Sequence, residues 1–187
     1  NEGMTLGNIG VIYDNLGDSP KAISYFEQSL KIRREIGDRK GEGMSLGNIG
    51  IIYGKLGDYP KALSYFEQSL KIKREIVDRR GEGETLGNIG IIYGNLGEYS
   101  KALSFHEQSL KIKREIGDRR GEGLTLNDIG NVYNNLGDYR KALSYYEQSL
   151  KIGREIGDRS GEGMTHRNSG VLEGRVGHGP QALSNIE

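Results

Sequence analysis

The chain has 187 residues, and its 26 basic side chains balance 26 acidic ones. A net charge of zero gives no long-range attraction to nucleic acid or to an anionic membrane surface. Cysteine is absent, which excludes disulfides and thiolate metal sites, and no apolar run is long enough to span a bilayer.

Taken in order, the chain repeats itself. Gly41, Gly81, Gly121 and Gly161 mark a period of 40 residues, and Tyr13, Tyr53, Tyr93 and Tyr133 keep the same step. A fixed period of this size marks stacked supersecondary units. The reading is a single domain over 1–187, with repeats at about 2–40, 41–80, 81–120 and 121–160 and a degenerate one at 161–187.

The third repeat is the cleanest. Leu86, Ile89, Tyr93 and Leu96, with Gly90 beside them, recur at steps of three and four and predict the core face of a helix. Gly97 breaks that run. Glu98 is a weak N-cap for the next helix, where Asp18, Asp58 and Asp138 serve better in the sister repeats. Ala102, Phe105, His106, Ser109, Leu110, Ile112 and Ile116 form a second helical pattern. It stops at Gly117, suited to a left-handed C-cap, and Asp118 can cap the helix that comes next. Each repeat therefore reads as helix, tight turn, helix, tight turn, and the fold class is all-α.

One repeat cannot stand alone. About ten large apolar side chains at roughly 1.5–3 kcal/mol each fall short of ordering 40 residues at about 1.5 kcal/mol apiece. Stacking supplies the rest.

The departures from the repeat are local. Pro20 falls in a first turn, which tolerates it. Val77 stands where Gly37, Gly117 and Gly157 end the other second helices, so that cap is strained or different. His106 replaces Phe26, Phe66 and Tyr146 at an aromatic core position and reads as a packed histidine. Asn127, Asp128 and Asn131 change the first helix of repeat four, and Gly153 weakens its second by about 1 kcal/mol. In repeat five Ser169, Glu173 and Gly179 replace apolar or aromatic residues, a pattern that suits a polar end cap. His166 and His178, in the same repeat, read as exposed.

Catalytic chemistry is not visible. The run Gly81-x-Gly83-x-x-x-Gly87 comes after a helix and lacks the strand that a phosphate-binding loop needs, so it reads as a turn, a helix start and a close helix contact. Three scattered histidines make no metal cluster, and no nucleophile, base and acid set can be assembled. No enzyme activity, metal or cofactor is expected. The basic pairs Arg39-Lys40, Arg79-Arg80 and Arg119-Arg120 lie within a turn of Asp38, Glu42, Asp78, Glu82, Asp118 and Glu122. They read as locally neutralised ion pairs and not as a nucleic-acid track.

A second stripe on the first helices mixes aliphatics with amides where a plain outer face would carry charge. Glu84, Asn88, Ile91 and Asn95 form it in repeat three. Asparagine donates and accepts together, so it can satisfy the backbone of an extended peptide. The candidate binding set is Asn8, Asn48, Ile51, Asn88, Ile91, Asp128, Asn131 and Asn135.

The segment Ile49 to Tyr65, with Gly50, Tyr53, Gly57, Tyr59 and Ala62, and Phe66 just after it, resembles a tetratricopeptide repeat. Its 40-residue length and the wording SLGNIGIIYGK from Ser45 to Lys55 are similar to the kinesin light chain and Pins/LGN scaffold subtypes. The resemblance implies a right-handed α-solenoid of antiparallel helix pairs that binds proteins or peptides in its concave groove, with the groove asparagines holding the ligand backbone. A carboxylate-clamp version is not expected, because Gly7, Gly47 and Gly87 stand where its basic residues would help. The expected function is a cytoplasmic protein-interaction scaffold that binds neither nucleic acid nor membrane. The alternatives are end-to-end self-association through the repeat ends, favoured by apolar Leu6, Ile9 and Ile12 at the first helix, or a sensor segment of a larger signalling protein.

Overall fold

The computed structural model describes the backbone of residues 2–177 and the side chains of residues 2–169. Gly179 and His178 lie outside the described residues, and the Glu173 side chain is likewise not described. Among the described residues the chain is nine α-helices and no strand. Its contacts divide it into two units, residues 1–97 and 98–187.

The first unit holds α1 (Glu2–Asn15), α2 (Ser19–Glu35), α3 (Arg39–Lys55), α4 (Tyr59–Glu75) and α5 (Arg79–Asn95). Each helix packs on the next, and α3 also meets α1 and α5. Phe26, Leu46, Ile49, Ile52 and Ile72 gather in one core cluster with Tyr13, Tyr53 and Tyr65 at its edge. The second unit holds α6 (Tyr99–Glu115), α7 (Arg119–Asn135), α8 (Tyr139–Ile156) and α9 (Arg159–Gly177). Consecutive helices again pack together, and α7 meets α9. Leu110, Leu126, Ile129 and Ile152 form its core beside Tyr133 and Tyr145. The architecture is an all-α helical-repeat solenoid. The degenerate last repeat keeps a first helix, with Thr165 and Ser169 buried.

The turns follow the local chemistry. Asp18, Asp58 and Asp138 each accept the backbone N–H three residues on, and Asp38, Asp78 and Asp118 do the same for the other helices. Glu98 makes no such bond; its longer carboxylate reaches Lys101 at 2.5 Å instead. The first member of each basic pair is neutralised at its turn as expected. Glu42 is buried between Arg34 at 2.9 Å and Arg39 at 2.6 Å, and Glu82 and Glu122 repeat the arrangement with Arg74, Arg79, Arg114 and Arg119. Burial works against ionising Glu42, yet the two guanidinium groups hold its carboxyl below the usual range. Each such glutamate ties a second helix to the first helix of the next repeat.

The core stripe needs one correction. Leu96 is 43% exposed, just beyond the end of α5, whereas Ile92 is buried. Ile92 turns towards α3, where its Cδ1 lies 2.9 Å from the point a Cβ on Gly54 would occupy. First helices of neighbouring repeats thus bury a second face against one another. On α1, where no described helix precedes, Ile12 is 56% exposed while its counterpart Ile52 is 1% exposed.

Val77 adopts φ +58°, the one non-glycine residue with positive φ among those described. A β-branched side chain is disfavoured there, and at 73% exposure Val77 gains little from packing. Val77→Gly is expected to stabilise the protein by about 0.5–1.5 kcal/mol. A chemical-denaturation midpoint that stays put or falls would show that the turn carries no strain.

Candidate functional site

Small residues let the helices approach, and the approach shapes a crevice. Gly50 lies under the ring of Phe66, and Gly54 makes room for Ile92. Between α3 and α5 this leaves a pocket of about 250 Å³, lined by Ile51, Gly54, Lys55, Phe66, Asn88, Ile91, Ile92 and Asn95. Its walls come from two first helices, and Phe66 of α4 is its floor. Lys55 at the rim pairs with Asp14 at 2.8 Å, so its charge is already answered. The chemistry is that of an aliphatic slot with amides at the edge.

Of the expected binding residues, Ile51, Asn88 and Ile91 come together in this pocket. Asn48 is half-buried on α3 outside it, and Asn8 is exposed on α1. Phe66, Ile92 and Gly54 were missed because a stripe drawn on one helix omits the floor and the facing wall. The recurrence of Gly54 at Gly94 was the available signal for a close first-helix contact.

Asp128, Asn131 and Asn135 belong to the second unit, where the face is more polar. Tyr146 donates its hydroxyl to Asn131 Oδ1 at 2.8 Å, and Asn168 Nδ2 donates to both Asn131 Oδ1 and Asn127 Oδ1 at 3.1 Å. The Asn131 carbonyl is therefore already used internally. Asn135 is exposed. Burial pushes the half-buried Asp128 carboxyl up to about 6, with Lys113 pulling it partly back. Burial likewise pushes the Tyr146 phenol up to about 12, and Asp128 adds to the rise.

A larger recess, about 670 Å³, opens between α2, α3 and α4, lined by Glu27, Lys31, Arg34 and Glu35 among others. It includes Tyr65 stacked on Tyr53 at 5.6 Å and Lys61 over the Tyr53 ring. Lys61 is paired to Asp58. Among the described residues no group of three or more acidic or histidine side chains could hold a metal ion, and no helix is long and apolar enough to cross a membrane.

The family model described as tetratricopeptide repeat matches residues 1–75, 44–115 and 121–187. The chain belongs to the tetratricopeptide repeat family. No curated protein matches it. Several solved structures share the fold. BtubC (BKLC) from P. vanneervenii is 21% identical with a TM-score of 0.75, over 83% of this chain and 64% of that one. The nearly identical repeats of a putative kinesin light chain from Podosopora anserina are 14% identical with a TM-score of 0.75, over 96% and 88%. A Rap protein complexed with competence and sporulation factor is 18% identical with a TM-score of 0.80, over 86% and 45%. The chain thus spans about two thirds of the first of these proteins and under half of the last. At these identities the likeness is one of fold.

Proposed function

We propose that this chain is a protein-interaction scaffold that binds an extended peptide along the first-helix face. The observation that carries the reading is the aliphatic pocket between α3 and α5, rimmed by Asn88 and Asn95. Apolar walls with a few placed amides are the usual make-up of a ligand site. A peptide laid there seats one aliphatic side chain against Ile51, Ile91 and Phe66. Its backbone exchanges hydrogen bonds with Asn48 and Asn88. The family membership supports the reading, as does a neighbour of the same fold that is complexed with competence and sporulation factor.

The test begins with linear peptides selected on the chain from a random displayed library. Calorimetry on the selected peptides then compares Asn48→Ala with Asn88→Ala against Lys71→Ala with Lys111→Ala, exposed positions on α4 and α6. Each lost hydrogen bond costs about 0.5–1.5 kcal/mol, so the asparagine double should weaken binding about tenfold while leaving thermal stability nearly unchanged. Loss of binding in the lysine double alone would put the ligand on the second helices and overturn the proposal.

A further inference from the structure

Three of the second helices place a cation at one repeat position, and the fourth does not. Arg33, Lys73 and Lys113 stand there on α2, α4 and α6, and Gly153 takes the place on α8. Each cation donates to a buried hydroxyl: Arg33 Nε to Ser29 Oγ at 3.0 Å, Lys73 Nζ to Thr85 Oγ1 at 2.8 Å and Lys113 Nζ to Thr125 Oγ1 at 2.8 Å. Around Gly153 the hydroxyls remain. Ser149 of α8 and Thr165 of α9 are 7% and 2% exposed, with their oxygens 3.2 Å apart. Ser149 donates its proton to the Gly123 carbonyl at 2.8 Å, and Thr165 donates to the Gly161 carbonyl at 3.0 Å. A hydroxyl has one proton and two acceptor sites, so neither has a proton left for the other. Two buried oxygens thus face each other where the sister repeats supply a donor.

The absent side chain leaves a hollow between α7, α8 and α9, all within the second unit. Its space of about 10 Å³ is that of one water-sized group. Leu124, Ile156 and Met164 line its exposed mouth. Asn127 also borders it, but its Oδ1 accepts from Asn168 and its amide donates to neither hydroxyl. Glu162 Cγ lies 2.9 Å from the point a Cβ on Gly153 would occupy, so the hydroxyls are reached from the mouth. The charge is also out of balance. Residues 153–162 carry two cations and three acids, where 33–42, 73–82 and 113–122 each carry four cations and three acids. Glu42, Glu82 and Glu122 each hold two arginines, but Glu162 makes no ion pair among the described residues. Arg120 lines the hollow with its charge already paired to Asp158 at 3.2 Å. Water supplies a donor without the charge; an ammonium supplies both.

We propose that the hollow beside Gly153 binds a primary alkylammonium group, its nitrogen donating to Ser149 and Thr165 and its alkyl chain lying on Leu124, Ile156 and Met164. The group is the side chain of a partner's lysine or a free amine, and both bring the same chemistry. The inference is independent of the peptide-binding reading above, because it concerns other helices and the second unit. Lys73 and Lys113 show the arrangement within the chain, each with an ammonium 2.8 Å from a threonine hydroxyl. The ligand supplies from outside what those repeats carry as a side chain.

Methyl NMR of Leu124 and Met164 tests this with n-butylammonium, n-butanol and n-butyltrimethylammonium as probes. The primary ammonium is expected to bind about tenfold more tightly than the alcohol, which lacks the charge, and than the trimethyl compound, which lacks the N–H donors. Gly153→Lys, which tethers an ammonium in the hollow, should abolish binding. Thr165→Val should remove the preference for the ammonium over the alcohol. If the variants do not fold, the three probes on the unaltered chain carry the test. Equal binding of ammonium and alcohol, or binding that survives Gly153→Lys, overturns the proposal. So does the failure of every probe to move the methyl signals, which would leave a hollow that holds only water. N-acetyl-lysine methylamide and spermidine then assign the source. Tighter binding of the lysine derivative supports a partner's side chain, and tighter binding of spermidine supports a free polyamine.

Discussion

Lowering the pH from 6.5 to 4 is expected to remove about 3 kcal/mol of stability through His106 alone. The side chain occupies an aromatic core position on α6 and is 1% exposed, with Nδ1 lacking a hydrogen-bond partner among the described residues. Burial pushes its pKa from 6.5 down to about 4, and the Lys113 ammonium pushes in the same direction. A depressed folded value means that protons bind the unfolded chain first. The stabilisation is full above pH 6.5 and drains away as the pH falls towards 4. Asp128 works in the opposite sense, because its carboxyl is raised to about 6 and its contribution is lost as the pH rises through that value. Denaturation midpoints are therefore best followed in Asp128→Asn and above about pH 5, before carboxylates held below their usual range, such as Glu42, begin to lose their own contribution. His106→Phe, which restores the residue of repeats one and two, should flatten the slope. At pH 7 it should also add about 1–3 kcal/mol by removing an unpaired buried polar atom. A slope that persists in His106→Phe would assign the acid sensitivity to another group.

The repeat itself made most of the fold legible. Gly117 and Asp118 mark a turn because one tolerates positive φ and the other caps a helix, and both are chemical properties of single residues. Val77 was readable as an anomaly for the same reason, and its φ of +58° agrees. Glu42 and Glu82 were readable as partners of the basic pairs because i to i+3 spacing places them there. What one helix at a time does not disclose is the contact between repeats. Ile92 belongs to the core only because Gly54 on α3 makes way for it, and Leu96 leaves the core because α5 ends at Asn95. The candidate site shares this limit. Ile51, Asn88 and Ile91 can be read from the periodicity of first helices, but Phe66 enters the pocket from α4. Asn131 has the residue type a groove wants, yet Tyr146 and Asn168 engage its carbonyl, and only the fold brings those partners to it.

Gly50→Ala is expected to cost about 1–3 kcal/mol, the reverse of what helix chemistry alone predicts. In an exposed helix interior the same change gains about 1 kcal/mol, because alanine is the better helix former. Gly50 lies in the middle of α3, and a Cβ there would stand 2.8 Å from two carbons of the Phe66 ring. That ring is buried within the unit, so it cannot swing away without displacing its neighbours. Overpacking of this kind typically costs about 1–3 kcal/mol, from strained rotamers and backbone shifts. Gly130 beneath Tyr146 is built in the same way in the second unit. A double-mutant cycle isolates the cause. In a Phe66→Leu background the added methyl meets a smaller side chain, so the Gly50→Ala penalty should shrink by at least about 1 kcal/mol, within the range for contacting residues. Because Phe66 is also the floor of the aliphatic pocket, the alanine variant should weaken binding of any ligand seated against Ile51 and Ile91. If Gly50→Ala proves neutral or stabilising by chemical denaturation, the close approach of α3 to α4 is not what holds the pocket in shape.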